Sequence, residues 1–218
     1  FNALTTGDNN TAIGANSLDA NTTGSHNTAV GLNSLGANTT GAQNSAVGQA
    51  ALAANTTANN NSALGYYALT ANTTGDSDTA IGGSALGANT TGNHNTAVGK
   101  GALLTNVTAH RSTAVGYESL KVSNLSGDSN ASNTAVGYHA GVATTTGVAN
   151  VFIGSQSADA NTTGSQNTAV GLGSLGGNTT ADDNTAVGFL ALTTNTTGTA
   201  NTAVGKDSMY ATTTGGYN

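Results

Sequence analysis

Aliphatic side chains recur along this chain at a spacing that no amphipathic helix sustains. Ile13, Val30, Val47, Leu64, Ile81 and Val98 follow one another every 17 residues, each preceded by a small residue and followed by glycine. The unit opens with Asn-Thr-Ala-Val-Gly or a close variant at Asn10, Asn27, Asn44, Asn61, Asp78, Asn95, Ser112, Asn133, Asn150, Asn167, Asn184 and Asn201. The Ser112 unit, residues 112–132, is four residues longer than the rest. Residues 1–218 therefore read as one repeat array of about twelve units, expected to be part of a longer chain. Counting the opening Asn as position 1, position 5 is Gly in every unit, and position 9 is Leu in most, with Val142 near that place in the Asn133 unit.

Thr, Asn, Gly and Val are poor helix formers, and the apolar residues lack the i, i+3, i+4 spacing of a helix. Asn-Thr-Ala-Val-Gly reads instead as a five-residue strand. The stretch around position 9 reads as a second one, and Asn-Thr-Thr-Gly at positions 12–15 reads as a turn. Two strands and two turns per unit predict an all-β fold, a parallel β-solenoid or β-roll of 17-residue coils. Stacking sets identical positions about 4.8 Å apart, so Asn can ladder on Asn while a column of like charges would repel itself. Positions 3 and 4 are both apolar, yet neighbours in a strand face opposite sides. The strand is thus expected to be buried twice, once in its own coil and once against another copy. On that reading Val98→Asp would bury a charge and cost several kcal/mol.

Composition supports order of this kind. The chain holds 31 Gly, no Pro, no Cys and no Trp, and only 6% of its residues are charged. A net charge of −6 from 10 acidic and 4 basic residues gives no footprint for nucleic acid and no polybasic face for a membrane. No apolar run approaches the roughly 20 residues of a spanning helix.

The Asn-Thr-Ala-Val-Gly motif resembles the repeats in the heads of YadA-type trimeric autotransporter adhesins. The longer unit with its Asn-Thr-Thr-Gly turn is similar to arrays in bacterial and phage tail-fibre-domain proteins. That resemblance spans essentially residues 1–218. It implies a left-handed β-roll, a homotrimer, exposure outside the cell or on its surface, and an adhesive or spacer role.

Several residues are candidates for contact chemistry. Position 12 begins an Asn-x-Ser/Thr acceptor at Asn21, Asn38, Asn55, Asn72, Asn89, Asn106, Asn161, Asn178 and Asn195, and Asn124 begins another in the long unit. Such acceptors suit exposed turns of secreted proteins, while plain turn chemistry, Asn suiting the turn and the Thr pair laddering, is the preferred account. The irregular stretch 100–132 holds Lys100, Arg111, Tyr117 and Lys121, a possible partner-contact loop. Tyr66, Tyr117, Tyr138 and Phe189 share position 6, where they could stack on sugars or cover the edge of the core. His26, His94 and His110 fall in the free pair closing their units, with no second ligand at metal spacing. No catalytic constellation, metal site or cofactor motif emerges.

The expected role is a non-catalytic structural repeat of an extracellular fibre or surface adhesin. Its expected partners are other copies of itself, as a homotrimer or an end-to-end filament, and surface glycans. The alternative is an ice-binding solenoid using the stacked turn pairs Thr22-Thr23, Thr39-Thr40, Thr56-Thr57 and Thr73-Thr74.

Overall fold

The computed structural model describes residues 3–125, 127 and 129–218. Among these residues the regular elements are β1 Thr11–Ile13, β2 Thr28–Val30, β3 Ser45–Val47, β4 Ser62–Leu64, β5 Thr79–Ile81, β6 Thr96–Val98, β7 Thr113–Val115, β8 Thr134–Val136, β9 Val151–Ile153, β10 Thr168–Val170, β11 Thr185–Val187 and β12 Thr202–Val204. They form one parallel sheet in chain order. Each strand pairs with the next in strict register, Thr11 with Thr28, Ala12 with Ala29 and Ile13 with Val30. Across the long unit the register holds as well, Thr113 pairing with Thr134. The fold is a parallel β-solenoid with one coil per 17 residues. No described segment is helical, and none is a helix long and apolar enough to cross a membrane.

The glycine at position 5 turns the chain out of the strand. Gly65 has φ +143°, and a Cβ there would lie 2.6 Å from the carbonyl oxygen of Gly82 in the next coil. Both the conformation and the close approach exclude a side chain.

The core lies on one side of the strand only. Ala29, Ala46, Ala80 and Ala97, all at position 3, are fully buried, together with the position 9 residues Leu18, Leu35, Leu52 and Leu86. Position 4 points outward: Val47 is 38% exposed, Leu64 51% and Ile81 40%. The expectation that the coil itself buries position 4 is therefore corrected. A three-residue strand with apolar residues at two successive places can face either way, and the small Ala fits the narrow interior while Val is left on the outer face.

Position 9 is not a second strand. Leu86 has φ +50° and sits in a turn region, its N–H bonded to the carbonyl of Ala102 in the next coil at 3.0 Å. The same left-handed value recurs at positions 7 and 17, as at Ser84 (φ +56°) and Asp183 (φ +60°). Asn, Asp and His tolerate this region best, and they are frequent at positions 7 and 17. Leu at position 9 is held there by the stack, because full burial of its side chain contributes about 1.5–3 kcal/mol, enough to offset about 1–3 kcal/mol of backbone strain.

One coil repacks this core. Phe152 takes the place of Ala at position 3 and is fully buried. It fits because position 9 is Gly141 in the coil before and Ala158 in its own. A Cβ on Gly141 would meet the Phe152 ring at 2.6 Å. Gly141, and not Val142, thus occupies the Leu place in that coil.

The left-handed Leu yields a test. Leu86→Met keeps an unbranched Cβ and should cost less than about 1.5 kcal/mol. Leu86→Ile has nearly the same volume but a branched Cβ at φ +50°, and should cost at least about 2 kcal/mol more. Denaturant unfolding of the two variants measures the difference, and equal losses would refute the strain argument.

Candidate functional site

Three surfaces and one interior network carry the polar chemistry of the rod. The widest surface is the outer side of the sheet. Positions 2 and 4 place Thr or Ser beside Val, Ile or Leu, with Val151 and Ile153 in β9. No charged residue occurs in any of the twelve strands. At about 3.3 Å per residue and 4.8 Å per strand, this face of twelve three-residue strands covers about 570 Å². That is near the upper end of what monomers expose as one patch.

The second surface is the position 6 column. Tyr117 and Tyr138 stack with ring centroids 5.6 Å apart and planes 11° from parallel, both about half exposed. The His139 ring lies 3.9 Å from Tyr138. Glu118 accepts a hydrogen bond from Lys121 Nζ at 3.0 Å, which holds its carboxyl below the usual carboxylate range. His139 Nε2 lies 3.4 Å from the other Glu118 oxygen, within ion-pair distance but not aligned as a hydrogen bond. Tyr66 and Phe189 are also exposed. These rings stand on the surface and do not seal the core.

The third surface is a cleft of about 240 Å³ lined by Asn93, His94, His110, Arg111 and Asn130. The four residues read from the sequence as one contact loop separate here. Arg111 lines the cleft at one end of β7, while Tyr117 lies beyond its other end, in the coil next to Lys100. None of Lys100, Arg111, Tyr117 and Lys121 is in the inserted stretch. Coil spacing stays regular as far as Val107, whose N–H bonds Asn124 Oδ1 17 residues on, and then Thr108 Oγ1 reaches both Leu125 O and Gly127 O.

The interior network is built from Asn. At position 1, Asn44 Oδ1 accepts the N–H of Asn61 in the next coil at 3.0 Å, and its Nδ2 donates to Ala58 O at 2.8 Å. At position 12, Asn38 Nδ2 donates both to Asn21 Oδ1 of the preceding coil and to Gly41 O of its own, each at 2.9 Å. The glycan acceptors lie within this network. Asn21, Asn38, Asn55, Asn72, Asn89, Asn106, Asn161, Asn178 and Asn195 are at most 1% exposed. In the folded coil their amide nitrogens, the atoms a glycan would join, are buried and hydrogen-bonded, so these acceptors are withdrawn from any transferase. Asn124 is exposed, and the Ser126 that completes its acceptor lies outside the described residues. The first threonine of each turn pair is also engaged, Thr22 Oγ1 donating to Thr39 O at 2.9 Å and Thr39 Oγ1 to Thr56 O at 3.0 Å. The second threonines of the pairs, Thr23, Thr40, Thr57 and Thr74, stay exposed in one column along the turns.

The network breaks at the long coil. Ser112 and Ser123 stand where Asn is usual, and Thr144 follows in the next coil. Asn106 Oδ1, Ser112 Oγ and Thr144 Oγ1 are left buried without a partner.

Comparison with protein-family models, curated proteins and solved structures returns no match. Among the described residues, no group of three or more His, Cys, Asp or Glu is placed to hold a metal ion.

Asp78 is the one acid inside the Asn column. Asn95 N–H donates to Asp78 Oδ1 at 2.7 Å and Asn89 Nδ2 to Oδ2 at 3.0 Å. Burial pushes its pKa up from 3.8 to about 7, against the opposing hydrogen bonds from Asn95. The folded chain thus binds this proton more tightly than the unfolded chain. Its stabilising effect is complete below pH about 4, falls as pH rises, and is gone above pH about 7. The expected loss between those limits is on the order of 4 kcal/mol. Asp78→Asn restores the amide and should remove this pH dependence while stabilising the rod at pH 8. Denaturant unfolding of both proteins at pH 5 and pH 8 checks it, and parallel pH profiles would count against the assignment.

Proposed function

We propose that this chain is a rigid, non-catalytic rod of an extracellular fibre or surface adhesin, and that copies associate side by side through the Thr-x-Val face. The observation that carries the reading is the uncharged outer side of the sheet. A rod that stayed single in water would be expected to place charge there, and here Val, Ile and Leu form a stripe through all twelve coils. Each copy then supplies the second layer that the outward position 4 lacks. Resemblance to trimeric adhesin heads favours three left-handed copies around one axis, with surface glycans as the outside partner. The backbone ladders and Asn network supply the stiffness such a role needs.

The same face gives a second reading as an ice-binding solenoid. Hydroxyl and methyl groups alternate on a regular, uncharged sheet in strict register. The position 2 threonines of the strands would carry that activity, beside the exposed second threonines of the turn pairs, Thr23, Thr40, Thr57 and Thr74.

Light scattering coupled to size exclusion tests the first reading. The wild-type chain should give three times its mass. Val98→Asp should give the single mass with its β-sheet circular dichroism kept, because Val98 faces outward and the change costs the single coil stack under about 1 kcal/mol. A wild-type monomer at high concentration would overturn self-association. Thermal hysteresis in that monomer, abolished by Thr96→Lys, would favour ice.

A further inference from the structure

One glycine of the array answers to no need of the backbone. Position 6 carries Tyr66, Gly83, Lys100, Tyr117 and Tyr138 in five successive units, and Gln49 in the unit before them. Its neighbour Gly82 is obligatory, with φ +129° and the Gly99 carbonyl carbon 2.6 Å from where a Cβ would stand. Gly83 lies outside the left-handed region. A Cβ on it would find its nearest atoms, Lys100 Cγ and Tyr66 O, at 3.9 Å, an ordinary contact distance. Neither conformation nor crowding keeps a side chain away.

Side chains at position 6 run outward next to one another from successive coils, as the stacked Tyr117 and Tyr138 rings show. The bare Gly83 therefore opens a slot between the Tyr66 ring and the Lys100 side chain, whose coils are two rises, about 9.6 Å, apart. Tyr66 is 59% exposed. Tyr67 leans on it, ring centroids 4.4 Å apart with planes 51° from parallel, and steadies the ring. Lys100 is exposed and forms no ion pair among the described residues. Glu118, one coil further on, is already held by Lys121.

Contact with each wall takes about 3.5–4.0 Å, so the slot admits one ring and not two. A flat aromatic ring would leave about 2 Å of slack, which the pucker and axial hydrogens of a saturated ring take up. A pyranose with equatorial hydroxyls has C–H faces to lay on a tyrosine ring and a rim of oxygens for the three N–H donors of a lysine.

We infer that this slot binds one β-linked glucose-type unit of a surface glycan, stacked on Tyr66 over Gly83 and hydrogen-bonded by the Lys100 ammonium. The inference rests on the reading of glycans as the outside partner and names their place on a single copy. It does not require self-association.

Nuclear magnetic resonance of the wild-type chain during titration with cellobiose tests the slot. The Tyr66 ring and Lys100 side-chain signals should shift saturably. Mannitol, an open-chain polyol, should give no shift, and p-cresol should bind more weakly than cellobiose. Gly83→Gln fills the slot with the residue that Gln49 already places in this column, and should weaken cellobiose at least tenfold with circular dichroism unchanged. Tyr66→Ala, which removes an exposed ring and no part of the core, should weaken it as much. His26→Gln, in a distant coil, should leave affinity as it is. An absence of saturable shifts, an equal response to mannitol, or full affinity in either Gly83→Gln or Tyr66→Ala would overturn the slot. Tighter binding of p-cresol would overturn the sugar assignment. Light scattering on the same samples keeps the two proposals apart: a trimer without shifts removes the slot alone, and saturable shifts in a monomer support the slot while removing the assembly.

Discussion

The carbonyl that ends each turn is where the structure is tied together. Gly41 O accepts Nδ2 of Asn27 at 2.8 Å and Nδ2 of Asn38 at 2.9 Å, the first and twelfth residues of its own coil. Two amides from opposite ends of a unit thus close the coil on one oxygen. The Oδ1 atoms of the same amides reach along the axis, Asn27 Oδ1 taking the N–H of Asn44 and Asn38 Oδ1 taking Nδ2 of Asn55. Each Asn therefore fixes the shape of its own coil and the distance to a neighbour at once. Losing one leaves buried groups unpaired, at about 1–3 kcal/mol each. The core of Ala and Leu is too thin to impose this shape alone.

Stacking also turns every local choice into a choice repeated at each coil. Glycine at position 5 is required because the next glycine's carbonyl is already there. Positions 7, 9 and 17 are left-handed, and no Val, Ile or Thr occupies any of them in the array. A branched Cβ at such a place would be penalised in each unit that carried it. Where one member of a column changes, others answer: Gly141 and Ala158 shrink around Phe152.

The period, the parallel stack, the presence of a strand in Asn-Thr-Ala-Val-Gly and the need for glycine were readable from spacing, although the strand spans only the central three of those five residues. Three things were not. The inward side of the strand was ambiguous, because Ala and Val are both apolar and three residues carry too little alternation to settle the parity. Position 12 looked like a surface turn, since Asn-x-Thr also marks exposed loops, whereas its amide turns inward to meet the turn carbonyl. Position 9 looked extended because Leu is rarely left-handed. The absence of branched residues at positions 7, 9 and 17 was the available signal. The cleft was hidden because it joins residues from three coils, and only the stack brings Asn93, His110 and Asn130 together.

Register this strict makes the rod a ruler. Each strand lies over the same residues of the next, so an in-frame duplication or loss of one unit changes length by one fixed step. The cross-section and the outer face stay the same. The long coil shows that a unit can also absorb extra residues without shifting its neighbours, since Thr113 still meets Thr134. A landmark in one coil, such as the Arg111 cleft, can therefore be set at a chosen height along the shaft by counting units alone.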